Sequence, residues 1–165
     1  MQPLKIDKKA LVTLILKALN DELTQAINAA NAAHAAAIDD QSIAETQYDT
    51  LAIEASYLAE GQSRRVEELQ AAINNYQILK LIAFNNNMPI SLSALVQLSA
   101  DSKSQHWFFI APAAGGFRCQ QAGQHITVIT PQSPMGQALM NKFEDDDVEV
   151  MLNKQAVQDS IEKIL

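Results

Sequence analysis

The side chains of this 165-residue chain whose type and spacing could do chemistry are carboxylates: Asp39, Asp40 and Glu45 fall within one short stretch. Oxygen donors so grouped could face a metal ion. The same residues also read as a solvated turn, because Asp and Ser cap helices and Ser42 with Glu45 has capping-box spacing. A second acidic run, Glu144 to Asp147, reads as a charged β-turn that could also meet a basic surface. His34, His106 and His125 stand far apart with no carboxylate or cysteine at ligand spacing, so no zinc site is expected. Cys119 is the lone cysteine, which leaves no intramolecular disulfide and suits a reducing cytoplasm. Gly115-Gly116 lacks the later Gly and the Lys of a phosphate-binding loop, and no Ser/His/Asp motif is present. No cofactor of the chain's own is expected.

The charge layout narrows the function classes. The net charge is −7 with 48% apolar residues, enough for a real core. Residues 39–68 hold eight acids against Arg64 and Arg65, and residues 144–165 hold seven acids against two lysines, whereas residues 80–143 are net basic. Such a chain repels phosphate backbones, so direct DNA binding through a broad basic face is not expected. Met1 to Lys9 carries three lysines without a following apolar run, and no stretch approaches the ~20 apolar residues of a membrane span, so a soluble cytoplasmic protein is expected.

The elements that must position the acids come from periodicity. Between Pro3 and Pro89 there is no proline and one glycine, Gly61. Val12, Leu16, Leu19, Leu23, Ala26, Ala30, Ala33 and Ala37 form a heptad seam that changes from Leu to Ala, so helices packed on it approach each other toward residue 37. A second seam runs Ala44, Tyr48, Leu51, Ala55, Leu58 and then, through a stutter containing Gly61, Val66, Leu69, Ile73 and Tyr76. The pattern predicts an antiparallel hairpin over 1–84 with its tip near 38–45 and its turn at 38–42. Arms of about 30 residues would reach roughly 45 Å. Arg64 and Arg65 are expected to pair with Glu60, Glu67 and Glu68.

Asn85-Asn86-Asn87-Met88-Pro89 marks a linker over 85–91. Beyond it, residues 92–165 predict an α+β domain: strands at Leu92–Leu98, His106–Ala111, Phe117–Gln120, His125–Thr130 and Val148–Leu152, and a helix opened by Ser133-Pro134 and running to about Asn141. Trp107, Phe108 and Phe109 fall on one strand, so alternate rings point to opposite faces and at least one face is core. Residues 153–165 fit either a helix or a strand by pattern.

A long hairpin followed by a small α+β domain resembles the bacterial transcript-cleavage factor family, GreA and GreB. Ile126 to Lys142, with Ser133-Pro134 and Ala138-Leu139, followed by Asp146-Asp147-Val148-Glu149-Val150, is similar to the family's strand, Ser-Pro, Ala-Leu-x-x-Lys helix and acidic turn. Glu45-Thr-Gln-Tyr48-Asp resembles the family's Asn-Ala-Glu-Tyr-His beyond the tip. The resemblance implies that the second domain is FKBP-like, that residues 153–165 are a strand, and that Ser133, Pro134 and Lys142 belong to the partner-binding motif. It implies a monomeric factor that docks on core RNA polymerase and puts its tip into the secondary channel. Nascent RNA is then met indirectly, and the polymerase's own hydrolysis is stimulated; the factor itself is no enzyme. Asp39, Asp40 and Glu45 would be the catalytic tip acids, with Asp40 and Glu45 on a magnesium ion shared with the polymerase.

The tip departs from the family pattern. Cleaving members read Gly-Asp-Leu-x-Glu-Asn there, whereas alignment through Tyr48 puts Gln41 and Ala44 at the two acid positions. A one-residue shift could still bring Asp40 and Glu45 onto one metal; the alternative is a channel-occupying modulator or inhibitor without cleavage. Two other classes stand beside these. One is a coiled-coil adaptor that dimerises through residues 10–80. The other is a prolyl isomerase, for which the second domain offers few aromatic residues.

Overall fold

The computed structural model describes residues 5–42 and 49–165, with side chains described outside 39–52. Helix α1 is Lys8–Ser42 and helix α2 is Asp49–Gln77. Asp7 starts α1: its Oδ1 accepts the backbone N–H groups of Lys9 and Ala10 at 2.9 and 3.2 Å, two donors that have no partner inside the helix. The chain forms two compact units, Leu16–Asn74 and Met1–Ile15 with Asn75–Leu165.

The first unit is a two-helix hairpin. Glu22 pairs with Arg65 at 2.9 Å and His34 Nε2 meets Ser63 Oγ at 3.3 Å, so ascending α1 means descending α2. On α1 the seam is buried as expected at Leu19, Ala26, Ala30, Ala33 and Ala37. Nearer the start of α1 the most buried line is Leu11 and Ile15, with Val12 and Leu16 only half-buried.

Two expectations for the hairpin are corrected. α1 continues through Ser42, so 38–42 is helix and not the turn, and Ser42 does not open α2. Asp, Gln and Ser each cost a helix well under 1 kcal/mol, and no Gly or Pro stands there to end it. The second correction concerns the stutter. Leu58 is 58% exposed and Ala59 is buried, so the α2 seam runs Ala55, Ala59, Gln62, Val66, Leu69, Ile73, Tyr76 with unbroken heptad spacing. The larger hydrophobe was the natural choice by hydropathy, but an alanine seam on α1 leaves room only for a small side chain opposite. Gly61 is exposed within continuous helix. Ala44, Tyr48 and the side chain of Leu51 lie outside the described residues.

In the second unit, α2 stops at Gln77, and Ile78–Phe84 is irregular rather than the end of the helical arm. At Ile82 side chains satisfy the backbone instead: Ile82 N–H donates to Ser93 Oγ at 3.0 Å, and Lys8 Nζ donates to the Ile82 carbonyl at 2.6 Å. Strands β1 (Leu95–Leu98), β2 (His106–Ile110), β3 (Arg118–Gln121), β4 (Gln124–Ile129), β5 (Asp147–Leu152) and β6 (Gln155–Ile164) form one sheet in the order β3-β4-β2-β1-β6-β5. Only β2 and β4 run parallel; Phe108 faces Thr127 and Ile110 faces Ile129 in their register. A 3₁₀ turn, Ser99–Asp101, follows β1. Strand β1 begins at Leu95 and not at Leu92, because Ser93 sits at φ 75°, outside extended backbone. Strand β6 spans most of the C-terminal segment that pattern alone left open.

Helix α3 (Pro134–Leu139) covers one face of the sheet, where Val96, Leu98, Ile110, Ile129, Leu139, Val148 and Ile161 form a core with Phe108 half-buried against it. It ends before Asn141, which takes φ 65°. Trp107 and Phe109 point to the opposite face and are buried there, so both faces are covered. Chain segments near that face are tied down by Asp7 N–H to Gln121 Oε1 at 2.8 Å and Tyr76 O–H to the Ala113 carbonyl at 2.7 Å.

Tyr76 is 2% exposed. Tyr76→Phe should therefore cost about 1–2 kcal/mol, since the partly buried Ala113 carbonyl loses its donor. Denaturant titration checks this, and an unchanged midpoint would show that water replaces the phenol.

Burial pulls the Lys8 ammonium down from 10.5 to about 8, while the Ile82 carbonyl and the Phe84 ring, 4.8 Å from Nζ, favour the charged form. A folded value below the unfolded one means that Lys8 opposes folding while charged, and that this opposition fades as pH rises from about 8 toward 10.5. Burial raises the Tyr76 phenol above its usual 10.0, so its contribution is lost as pH climbs beyond that value. Stability should rise between pH of about 8 and about 10, then fall. Denaturant midpoints across that range check this; a wild-type slope retained in Lys8→Met would remove Lys8 as its source.

Candidate functional site

Asp39 and Asp40 lie on the helical backbone of α1, and their side chains lie outside the described residues. Glu45 lies outside the described residues, so its distance from Asp40 is not part of the geometry. Among the described residues, no group of three His, Cys, Asp or Glu side chains could hold a metal ion.

The Ser133-Pro134 motif is built as a helix start. Ser133 Oγ accepts the Gly136 N–H at 3.0 Å and donates to the Thr130 carbonyl at 2.7 Å, while Pro134 occupies the first turn, where its missing N–H costs nothing. Gly136 is required by close approach: a Cβ there would lie 1.9 Å from the Thr130 carbonyl oxygen. Ser133 is half-buried, whereas Pro134 and Lys142 are exposed. Lys142 holds its place through its backbone, with its carbonyl accepting Ile90 N–H at 2.8 Å. Of the three expected partner-binding residues, Pro134 and Lys142 can meet a partner directly, and Ser133 shapes the turn that presents them.

The acidic run at 144–147 is partly absorbed by the fold. Asp146 Oδ2 accepts Phe143 N–H at 2.7 Å and Glu144 Oε2 accepts Ile164 N–H at 3.3 Å, which leaves Asp145 exposed in the turn before β5 and Asp147 exposed as the first residue of β5. Arg64 pairs with Glu60, and Arg65 with Glu68 and with Glu22 across the hairpin; all are exposed and worth at most about 1 kcal/mol each.

Solved structures with a similar layout exist. In layout the chain is similar to Gfh1. A structure of the transcription factor Gfh1 shares 15% identity, covers 90% of this chain and 92% of its own, and has a TM-score of 0.38. The GreA factor homolog 1 (Gfh1) protein of Thermus thermophilus shares 14% over 94% of this chain and 93% of its own, with a TM-score of 0.36. Gfh1 of Thermus aquaticus shares 16% over 90% and 92%, with a TM-score of 0.37. No protein-family model and no curated protein matches the sequence. Function is therefore read from residues of this chain and not from the superposition with Gfh1.

Two surfaces escaped sequence reasoning. Ile78, Leu79, Ile82, Leu92, Pro112 and Met140 line a cleft of about 440 Å³ with Lys80 beside it, and Ile78 is 76% exposed. The apolar run Ile78–Phe84 was the available signal, hidden because it continues the composition of the helix before it. On α2, Ile53 and Tyr57 are exposed one helical turn apart, outside the seam. No helix of the described residues is long and apolar enough to cross a membrane.

Proposed function

We propose that the chain is a Gre-type factor that docks on core RNA polymerase through its C-terminal domain and inserts the hairpin into the secondary channel to modulate elongation. One observation carries this reading: an unbroken two-helix seam that narrows to alanine and ends in acids, joined to a small sheet domain that displays Pro134 and Lys142. A slim negative arm is suited to a basic-lined pore and to the vicinity of a divalent cation. Seam positions filled within one chain support a monomeric factor over the dimerising adaptor.

The tip could serve cleavage, with Asp39, Asp40 or Glu45 helping to hold the polymerase's magnesium, or it could only occupy the channel. The helical backbone through Ser42 favours occupation. It fixes Asp40 and Gln41 in register, so the shift needed to pair Asp40 with Glu45 finds no loop before residue 43.

The test is a stalled, backtracked elongation complex with labelled RNA. The expected result is binding to core polymerase and altered elongation without a burst of cleavage. Cleavage abolished by Asp39→Ala, Asp40→Ala or Glu45→Ala would instead establish the cleaving role. No binding to core polymerase would sink both readings.

A further inference from the structure

A group of side chains on the sheet takes no part in this function. His106 on β2 and His125 on β4 are register partners, and Arg118 on β3 is the register partner of Thr127 on β4. Parallel and antiparallel partners share a face, so all four project on one side of the sheet. They border a cleft of about 300 Å³ between β2, β4 and the edge strand β3. The His106 ring is held on three sides. Its Nε2 meets Thr127 Oγ1 at 2.8 Å, its Nδ1 lies 3.9 Å from Asp101, and its edge packs on Phe108 with centroids 4.6 Å apart.

This is costly order for a packing residue. With a proton on Nε2, the ring donates to Thr127 Oγ1. In that tautomer the threonine hydroxyl keeps its own proton to donate, and Thr127 lines the cleft. Across the strand pair Arg118 is exposed, and neither it nor His125 has a side-chain ion pair or hydrogen bond among the described residues. A guanidinium fork, a hydroxyl and an imidazole line one small concavity. The Asp101 carboxylate stays on the far side of His106, and the donor set that faces the cleft matches the oxygens of a tetrahedral anion.

We propose that Arg118, Thr127, His125 and His106 form a binding site for a phosphate group. Arg118 supplies the charge and the bidentate contact. Thr127 and His125 donate to the remaining oxygens, and His106 is a positioning residue that acts through Thr127. The site does not depend on polymerase binding. The phosphate could belong to a free nucleotide or to a nucleic-acid backbone, and the donor set is the same for both.

The experiment is a titration of the full chain with inorganic phosphate at fixed ionic strength, followed by the imidazole C–H resonances of His34, His106 and His125. Saturable shifts at His106 and His125 but not at His34 are expected. Arg118→Gln should weaken binding about tenfold or more, and Thr127→Val by several-fold, as expected for hydrogen bonds to a charged group. Lys17→Gln, a charge removed on the outer face of α1, should leave binding unchanged. No saturable shift, or an Arg118→Gln chain that binds as well as wild type while giving a native spectrum, would overturn the site. Equal shifts at all three histidines would do the same, since that is nonspecific ion pairing. Repeating the titration with a mononucleotide and a short oligonucleotide identifies the source: tighter binding of the oligonucleotide assigns a backbone phosphate, and equal or weaker binding assigns a free one.

Discussion

Gly136→Ala should destabilise the second unit by about 3 kcal/mol or more, the largest single-methyl effect expected in the molecule. The added Cβ would meet the Thr130 carbonyl oxygen at 1.9 Å, the Thr130 carbonyl carbon at 2.8 Å and Pro131 Cα at 3.0 Å, all of them backbone. Thr130 cannot retreat freely. Its carbonyl accepts both the Ser133 hydroxyl at 2.7 Å and the Ser133 N–H at 3.1 Å, and these bonds set the start of α3. Moving that carbonyl uncaps the helix that covers the core around Leu139 and Ile129. Gly61→Ala is the matched control and should act in the opposite direction. Gly61 stands in continuous helix with nothing within 4 Å of an added Cβ, so alanine should stabilise the hairpin by about 0.5–1 kcal/mol. Chemical denaturation of both variants checks the pair. If Gly136→Ala unfolds at the wild-type midpoint, close approach is not what holds glycine at that position.

That contrast also shows which parts of the structure could be read from residues alone. Ser133-Pro134 announced a helix start because capping chemistry is local: an oxygen two or three residues from the donor needs no tertiary partner. The need for glycine at 136 was invisible, since it arises from a carbonyl six residues earlier whose path is set by strand β4. The hairpin was legible from heptad spacing, yet its phase at 58–59 was misjudged. Hydropathy ranks Leu58 above Ala59, while the choice between them is made by the width of the gap opposite an alanine seam. The end of α2 was missed for a related reason. Ile78–Phe84 looks like more helix until Lys8 and Ser93, distant in sequence, supply the partners that the backbone of Ile82 would otherwise find within a helix. Among candidate site residues, composition and spacing singled out the tip acids, and the family resemblance singled out Lys142. They could not bring His106 to Thr127, because that contact exists only once β2 and β4 lie side by side in parallel register.

Ala37→Leu should separate hairpin geometry from hairpin charge. Ala37 is 7% exposed at the acidic end of the seam, where the buried residues of α1 from Ala26 onward are all alanine. Helix axes packed through small side chains sit near the lower end of the usual 8–10 Å, and a leucine in that layer forces them apart or forces strained rotamers, at about 1–3 kcal/mol. No charge changes. Under the proposed polymerase reading the slimness of the arm, together with its acids, admits it to the channel, so Ala37→Leu should weaken the effect on elongation by about tenfold or more. Ala36→Leu places the same three carbons on the exposed side of the same helix and should leave both stability and elongation near wild type. Elongation assays with core polymerase, run beside thermal unfolding of each variant, distinguish the cases. Should Ala37→Leu act on the polymerase as strongly as wild type, the alanine seam would serve helix packing alone and the tip would owe its access to charge. If instead both leucine variants lose activity equally, the exposed face of α1 is itself a contact surface, and the seam is not the feature that selects the channel.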